Sequence, residues 1–336
     1  MEEFEILDFC RQSCEKKPGT VVFPDSLDLR VLEAAKKLQD RKLAKVFLVN
    51  SPFAVRDKVR AEKIQDAGFN VFDPGSTELL SRNTEDYINL RKEKGKDIDY
   101  QQAEKAMSCP VAAAAMMVRR KEVDISVAGN LSSTAEVLKA GLTILPKMKD
   151  IKTISSFFFM ISPDRKRKFV FADCAVVPEP TPEALADIAI MSAEKARNLL
   201  QQEPRVALLS FSTKGSSKHP RAGTVREAVE IIRTRAPDIA VDGELQFDAA
   251  HVQDVAALKA PGSIIEGRAN VFIFPSLEAG NIAYKMVERL AGYTAIGPFI
   301  QGFQGGWHDL SRGCSSMDIF NVALIGICLQ RGNLLN

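Results

Sequence analysis

The segment Asp309–Asp318 brings together three side chains that could act on a phosphate or a carbonyl group. Ser311 offers a hydroxyl, Arg312 a guanidinium and Asp318 a carboxylate, and an apolar helical pattern follows them. Free backbone N–H groups at the start of a helix favour bound anions. The planar, permanently charged guanidinium of arginine suits a phosphate or a developing oxyanion. This segment is therefore the first candidate site.

The same segment also has a purely structural interpretation. Ser315 and Asp318 fit the S-x-x-D/E capping box, which predicts a helix over residues 316–330. Gly313 would form the tight turn before that helix. Helix caps are common, so the pattern taken alone favours capping over catalysis.

Two further loops carry groups suited to phosphate, each after a predicted strand. Ser210–Lys218 contains small hydroxyl residues, one glycine and two lysines. Gly129–Thr134 is rich in backbone donors and hydroxyls, and the helix after it contains Lys139. Ligands of open α/β sheets bind where the strands end. The first loop lacks the spacing of an NTPase P-loop and the chain has no G-x-G-x-x-G, so ordinary polar loops remain the structural alternative.

Three carboxylates, Asp242, Glu244 and Asp248, follow another predicted strand within seven residues. Such a group could hold a metal ion or serve as acid and base. It fits equally well a solvated loop at the end of a strand, in which Asp248 caps the next helix. The segment taken alone favours the loop.

Short apolar or β-branched runs alternate with helix-period segments, which predicts an α/β chain with mostly parallel sheets flanked by helices. The predicted strands are 20–23, 45–49, 70–72, 124–127, 153–161, 168–172, 205–211, 238–241 and 270–274. The predicted helices include 29–38, 103–120, 182–200, 224–235 and 278–290. The strands joined by SPDRKR instead predict an antiparallel hairpin, where one domain could give way to the next.

The bulk composition excludes several classes of protein. The 336 residues suffice for two α/β domains, and a net charge of +2 gives no reason to expect nucleic acid or a charged membrane as partner. The six cysteines are scattered without a C-x-x-C pair and the three histidines lie far apart, so neither a metal site nor disulfides are expected. The N-terminus does not resemble a signal peptide, so a soluble cytoplasmic protein is expected.

A set of sequence blocks in one order closely resembles the phosphate acetyltransferase (phosphotransacetylase) family over nearly the whole chain. The blocks are Phe23–Asp25 with Arg30–Ala35, Leu90–Lys92, Ser155–Phe158, Phe171–Cys174, Ser212–Ser216, Asp242–Gln246, Lys259–Ser263, Asn270–Pro275, Gly280–Lys285, Gly297–Pro298 and Asp309–Cys314 with Asp318. No single block is decisive, but their number and order are highly specific. The resemblance reverses the preference for a mere helix cap at the tail.

The resemblance implies two α/β domains with the active site in a cleft between them. The first would take residues 1–149 with 300–336, and the second residues 150–299. It also implies a homodimer and the reversible reaction of acetyl phosphate with coenzyme A to give acetyl-CoA and phosphate. Coenzyme A and acetyl-CoA would be substrates, and no metal or organic cofactor would be required.

The resemblance also assigns roles to individual residues. Asp318 would be the base that takes the thiol proton of coenzyme A, Arg312 would stabilise the oxyanion and the phosphate, and Ser311 would donate a hydrogen bond nearby. Arg91 would bind the phosphate end. The other residues expected to bind substrate are Ser132, Ser133, Lys139, Lys214, Asn281 and Tyr284.

Two departures from the family pattern leave the acyl preference open. Lys139 stands where the family commonly has an arginine, and lysine is a point charge and not a bidentate fork. Trp307 precedes the tail motif and could narrow an acyl pocket, stack on adenine or simply pack, with packing favoured. A phosphate butyryltransferase or propionyltransferase is therefore one alternative.

Two alternatives involve different chemistry. One is a metal- and nicotinamide-dependent decarboxylating dehydrogenase of similar fold, for which Asp242 and Asp248 would be the metal candidates. The other is a non-catalytic domain that senses acetyl-CoA. The intact Ser311, Arg312 and Asp318 argue against the sensor.

Overall fold

The computed structural model describes residues 5–65 and 68–332. Within these residues the chain forms two compact units, each of which is an α/β structure. Unit 1 takes the chain up to Pro146 and again from Phe303 onward, and unit 2 takes Lys147–Gly302. The N-terminal and C-terminal parts of the chain therefore share one unit.

The strands, in chain order, are β1 Gly19–Phe23, β2 Ala44–Val49, β3 Asn70–Phe72, β4 Ile125–Ala128, β5 Ser155–Ile161, β6 Lys168–Ala172, β7 Arg205–Leu209, β8 Ala240–Leu245, β9 Val271–Ile273, β10 Thr294–Gln301 and β11 Gly306–Asp309. The helices are α1 Glu5–Lys16, α2 Leu29–Asp40, α3 Pro52–Ala61, α4 Thr77–Glu93, α5 Tyr100–Met107, α6 Pro110–Arg119, α7 Thr134–Ile144, α8 Pro182–Leu200, α9 Pro220–Arg235, α10 Phe247–His251, α11 Gln253–Lys259, α12 Leu277–Ala291 and α13 Ser316–Gln330. None of these helices is long and apolar enough to cross a bilayer.

The sheet of unit 1 is parallel throughout, in the order β11-β4-β1-β2-β3. The interior strand β4, between β11 and β1, is buried along its whole length, as expected for a parallel strand with helices on both faces. Helix α13 packs against β4, α2 and α1 and is buried from Ile319 to Leu329. Because this helix is apolar all round, it belongs in the core and holds its N-terminal residue Ser316 in a fixed place.

The sheet of unit 2 is mixed, in the order β10-β5-β6-β9-β7-β8. The pairs β6-β9, β9-β7 and β7-β8 are parallel, whereas β5 pairs antiparallel with both β6 and β10. The predicted hairpin at SPDRKR is therefore confirmed. The α/β class with mostly parallel, helix-flanked sheets is confirmed as well.

Several predicted elements were wrong in detail. The helix expected over 103–120 is two helices, because Pro110 opens α6 as its first residue and cannot continue α5. Strand β8 runs on to Leu245, so Asp242 and Glu244 lie inside a buried strand and not in a solvated loop. Strands β10 and β11 were missed, since β10 contains Gly297-Pro298 and β11 has only four residues.

Candidate active site

Residues 310–315 form the loop between β11 and α13, called the tail loop below, in which Ser311, Arg312 and Gly313 are exposed. The side chains of Ser311, Arg312 and Asp318 all reach solvent. The Ser311 hydroxyl accepts a hydrogen bond from the backbone N–H of Gly313 at 3.1 Å. The guanidinium of Arg312 makes no hydrogen bond or ion pair with any residue that the structure describes. The loop thus presents a free cation beside the start of a buried helix.

The predicted capping box is present at the start of α13. Oδ2 of Asp318 accepts hydrogen bonds from the backbone N–H and from the hydroxyl of Ser315, each at 2.8 Å, and the Ser315 hydroxyl accepts the backbone N–H of Asp318 at 3.1 Å. Oδ1 of Asp318 accepts no hydrogen bond from the described part of the chain. The structural and chemical interpretations are therefore compatible, because capping uses one carboxylate oxygen and leaves the other open.

The backbone of this loop is held by Arg30, which the sequence analysis did not single out. Nη1 of Arg30 donates to the carbonyl oxygens of Arg312 and Cys314, at 2.8 and 2.7 Å. Nη2 donates to the carbonyl oxygen of Asn130 at 3.1 Å. No local pattern could have revealed these contacts, since Arg30 and Arg312 are 282 positions apart. The only signal was the occurrence of Arg30 in a family block.

The loop after β4 does bind an anion, but that anion is the protein's own Asp25. Its carboxylate accepts the backbone N–H groups of Gly129, Leu131 and Ser132, at 2.9 to 3.2 Å, and the Ser132 hydroxyl at 2.5 Å. Ser133 is occupied as well, because it caps α7 in a reciprocal box with Glu136. The donors that suggested a phosphate site are thus used within unit 1.

Asp309, at the end of β11, is a buried carboxyl beside this loop. Burial raises its pKa to about 6; the nearby charge of Asp25 acts in the same direction, and a hydrogen bond from Thr134 opposes them. Oδ1 of Asp309 has no hydrogen-bond partner among the described residues. An uncharged Asp309 therefore fits this environment better than an ionised one.

A cationic group lies at the end of α4. The Arg91 guanidinium stands over the Tyr87 ring, with its central carbon 5.9 Å from the ring centroid. Nζ of Lys94 donates to the carbonyl oxygen of Thr143 at 2.7 Å, and burial together with the charges of Arg119 and Arg91 lowers the pKa of Lys94. Such a concentration of positive charge suits a phosphate group. Lys139 is a further exposed cation on α7 of unit 1.

In unit 2, Lys214 is bound to a buried carboxylate. Its ammonium pairs with Asp242, which also lies 3.4 Å from Nη2 of Arg233. The neighbouring Glu244 accepts the Ser212 hydroxyl at 2.8 Å and lies 3.0 Å from Nη1 of Arg226. Burial alone would raise the pKa of Glu244, but its hydrogen bonds and the charge of Arg226 lower it overall. Asp242 and Glu244, both within β8, thus hold the loop that carries Lys214.

The ion pairs of Asp242, Glu244 and Asp248 differ from both the metal site and the solvated loop that the sequence suggested. Asp242 pairs with two cations, and Asp248 pairs with Lys259 at 2.7 Å. Asp248 lies within α10 and is not its N-cap, which is Gln246. The described residues contain no group of three or more His, Cys, Asp or Glu side chains placed to hold a metal ion. The carboxylates that the dehydrogenase alternative needed as metal ligands are thus neutralised by the protein's own lysines and arginines.

The remaining candidates in unit 2 lie on α12. The side-chain amide of Asn281 donates to the carbonyl oxygen of Cys174 at 3.0 Å. Tyr284 stacks on Phe158, with ring centroids 4.1 Å apart, and burial raises the pKa of Tyr284 to about 12. Its phenol therefore stays protonated at neutral pH and can donate a hydrogen bond.

Trp307 packs inside unit 1, as favoured from the sequence. It is buried in β11, and its indole N–H donates to the carbonyl oxygen of Val137 at 3.0 Å. Residues so enclosed cannot stack on a ligand without moving. The acyl preference therefore has to be argued from other residues.

Comparisons with known proteins agree with the family resemblance. Residues 5–327 match the family described as phosphate acetyl/butaryl transferase. The phosphate acetyltransferase of Clostridium acetobutylicum is 41% identical and aligns with 99% of this chain and 100% of its own. That of Thermoanaerobacterium thermosaccharolyticum is 43% identical, over 94% and 97% of the two chains.

Comparison of the structure with solved structures indicates the same family. The crystal structure of a phosphotransacetylase from Streptococcus pyogenes superposes with a TM-score of 0.93 at 36% identity, over 99% of this chain and 100% of that one. Sequence identity of this extent and a shared fold over the whole length define the family. The chain belongs to the phosphate acetyl/butaryl transferase family.

Proposed function

We propose that this protein is a phosphate acetyltransferase that moves an acetyl group reversibly between acetyl phosphate and the thiol of coenzyme A. The proposal is carried by one observation in a member of this family. The same segment contains Arg312, whose guanidinium has no described partner, and Asp318, whose Oδ1 accepts no described hydrogen bond. Ser311 adds an exposed hydroxyl on the same loop. A cation, a base and a hydroxyl are the groups that thiolate attack on an acyl phosphate requires.

The proposed reaction is a direct displacement. Oδ1 of Asp318 accepts the proton of the coenzyme A thiol while the sulfur attacks the acetyl carbonyl carbon. A C–S bond forms, the C–O bond to phosphate breaks, and phosphate leaves. The proton then passes from Asp318 to phosphate or solvent. Because a carboxylate is a much weaker base than a thiolate, proton loss concerted with attack avoids a free thiolate.

Arg312 supports this reaction through charge. The carbonyl oxygen becomes negative as sulfur attacks, and the leaving phosphate carries charge too. A guanidinium can donate two parallel hydrogen bonds to such oxygens. The hydroxyl of Ser311 would supply a further donor. Preorganised donors aimed at developing charge account for much of the rate enhancement of enzymes.

The binding roles extend to both units. In unit 1, Arg91 beside Lys94 would bind a phosphate of the substrate, and Lys139 would add an exposed cation. Ser132 and Ser133 would contribute only after exchanging their present protein partners. The unit 2 candidates are Lys214, Asn281 and Tyr284. The position of the site in an inter-domain cleft, the homodimer, the cytoplasmic location and the absence of a cofactor stay predictions.

The test is to mix purified protein with acetyl phosphate and coenzyme A, without metal or nucleotide, and to follow thioester absorbance. Rapid thioester formation that is insensitive to chelator is expected, and Asp318→Asn is the matched inactive control. Coenzyme A binding without turnover would indicate the acetyl-CoA sensor instead. Turnover that requires metal would contradict the proposal.

One observation supports a second candidate, transfer of a longer acyl group. The matched family includes butyryl-type enzymes by its description. By the family resemblance, Lys139 stands where an arginine is common. Butyryl phosphate and propionyl phosphate should therefore run beside acetyl phosphate. A kcat/KM highest for acetyl phosphate is expected, and a Lys139→Arg variant will show whether this position affects the ratio.

A further inference from the structure

We infer that Arg30 is a positioning residue for the proposed acetyl transfer, because its guanidinium holds the backbone that carries Ser311, Arg312 and the start of the Asp318 helix. The inference rests on the proposed function and uses only contacts within unit 1. The described donors of Arg30 all face protein oxygens, so it would act through the loop and not on substrate.

Arg30 occupies a place where a cation is not expected. It is the second residue of α2, and the positive end of a helix dipole disfavours positive charge there. The N-cap Asp28 compensates, since its carboxylate accepts Nε of Arg30 at 3.1 Å and Nη2 at 2.6 Å. Burial opposes ionisation, but these hydrogen bonds lower the pKa of Asp28 overall. The ion pair fixes one edge of the guanidinium and aims the rest at the loops.

The other donors join two loops that are remote in sequence. Nη1 bonds to the carbonyl oxygens of Arg312 and Cys314, and Nη2 bonds to that of Asn130. The segment from residue 310 to 315 lies outside any helix or strand. Its backbone is otherwise held by the Leu310 N–H, which donates to the Ala128 carbonyl oxygen at 2.7 Å, and by hydrogen bonds within the segment and to Asp318. Arg30 therefore fixes the tail loop against the loop after β4.

The position of the reacting groups depends on this clamp. The side chain of Arg312 has no described partner, so its backbone alone locates it. Ser315, which follows Cys314 directly, holds the Asp318 carboxylate. A displacement of about 1 Å at a reacting group can cost about 10²-fold in rate. Lysine cannot replace the fork, because one ammonium cannot reach Asp28 and three carbonyl oxygens with the same geometry.

The experiment compares Arg30→Lys and Arg30→Ala with wild-type in the coenzyme A assay. We expect kcat to fall by about 10- to 100-fold while KM for coenzyme A changes by less than about 3-fold, since the transition state and not ground-state binding is affected. Guanidinium ion at non-denaturing concentration should restore part of the kcat of Arg30→Ala. The melting temperature of each variant is measured alongside.

Arg331 offers a matched control. Its guanidinium donates to the backbone carbonyls of Lys17 and Pro18 at the opposite end of α13, far along the helix from Asp318. Arg331→Ala should lower the melting temperature but leave kcat unchanged and unaffected by added guanidinium. This variant therefore measures the stability that is lost when an arginine bound to backbone carbonyl oxygens is removed away from the proposed site.

The outcomes separate the inference from the function on which it rests. Wild-type kcat in Arg30→Lys would overturn the positioning role, and so would an equal kcat loss in Arg331→Ala at the same melting temperature. An inactive wild-type protein would instead remove the proposed function, and the inference with it. An active wild-type protein with a selective, guanidinium-rescued loss in Arg30→Ala supports both.

Discussion

Ser315 donates both its backbone N–H and its hydroxyl to one oxygen of Asp318, at 2.8 Å each. The carboxylate proposed as the base is therefore also the residue that closes the N-terminus of α13. The cap orients the side chain and leaves Oδ1 available. Because one side chain does both, a test of catalysis has to separate loss of the base from loss of the cap.

Asp318→Asn makes that separation. Asparagine keeps a side-chain oxygen that can accept from Ser315, but it is no longer a base. We expect kcat to fall by about 10²- to 10⁴-fold, the usual contribution of a general base, with KM for coenzyme A nearly unchanged. Steady-state kinetics with a parallel thermal melt measures both effects. Wild-type turnover in this variant would refute the assignment of the base.

Ser315→Ala is the reciprocal control. It removes the hydroxyl that donates to the Asp318 carboxylate and accepts the Asp318 backbone N–H, and it leaves the carboxylate itself intact. The free energy of unfolding should fall by about 1 kcal/mol, as for other lost caps. We expect kcat to stay within a few fold, because the backbone N–H of Ser315 still donates to Oδ2 of Asp318 and keeps the carboxylate oriented. A kcat loss as large as that of Asp318→Asn would mean that the cap and not the base controls activity.

The parts of the site that the sequence predicted are local. The capping box spans four residues, and the helix from Ser316 to Gln330 follows from a run between Ile319 and Leu329 in which Asn321 is the one polar side chain. Contacts between remote segments left no such pattern. Asp25 and Gly129 are 104 positions apart, and Arg30 and Arg312 are 282 apart. Only the fold brings them together, so their roles could not be derived from spacing.

The sequence also did not reveal which of the polar residues are buried. Asp242 and Glu244 resemble a polar loop, yet both are buried in β8, where Lys214 pairs with Asp242, and the Ser212 hydroxyl with Oε1 of Glu244. A buried carboxylate is tolerated only with such partners, and these lie up to 32 positions away. Propensity favours a loop for Asp-Gly-Glu, and tertiary pairing overrides it.

Asp25→Ala should strongly destabilise unit 1. The substitution removes the acceptor of the buried N–H group of Gly129 and of the partly buried N–H groups of Leu131 and Ser132. An unsatisfied buried donor costs about 1–3 kcal/mol and a partly buried one less, so a loss of about 2–4 kcal/mol is expected. Chemical denaturation monitored by fluorescence or circular dichroism measures it.

Asp73→Ala is the matched control for a turn carboxylate. The carboxylate of Asp73 accepts a single described backbone N–H, that of Gly75 at 2.9 Å, in an exposed turn of the same unit. A loss below about 1 kcal/mol is expected, because water can replace this acceptor. Equal losses for Asp25→Ala and Asp73→Ala would show that the contacts of Asp25 add no more to stability than the single contact of an exposed turn carboxylate.

Gly129 is required for a close approach as well as for its backbone conformation. Its φ is +94°, and a Cβ there would lie 2.1 Å from Oδ1 of Asp309 and 2.4 Å from the carbonyl oxygen of Leu310. Gly95 also has a positive φ, +66°, but no atom lies within 4 Å of its Cβ position. Gly95→Ala should therefore cost about 1–2 kcal/mol from backbone strain alone.

Gly129→Ala should cost about 3 kcal/mol or more, since overpacking adds to the same strain. Unfolding free energies of both variants, measured under one condition, test the difference. Equal costs would mean that the chain around Asp309 yields to the added methyl group. In that case the loop after β4 is less tightly fixed than its contacts indicate.

Asp309 should make stability depend on pH. Its folded-state pKa of about 6 lies above the value of about 3.9 for an unfolded aspartate, so folding favours the protonated form. The contribution is fully present below about pH 4 and is lost as pH rises through about 6. Two pKa units correspond to about 3 kcal/mol. Asp309→Asn cannot ionise, so its stability relative to wild-type should rise by up to that amount between pH 4 and 7.5.

Thr134→Val provides a variant in which the shift should grow. The Thr134 hydroxyl favours the ionised form of Asp309, so its removal should raise the pKa of Asp309 further and move the stability loss to higher pH. Melting temperatures of wild-type and both variants across pH 4 to 8 measure the effect. A constant difference between Asp309→Asn and wild-type at all pH values would contradict the raised pKa, because an acid that titrates normally gives no pH-dependent term.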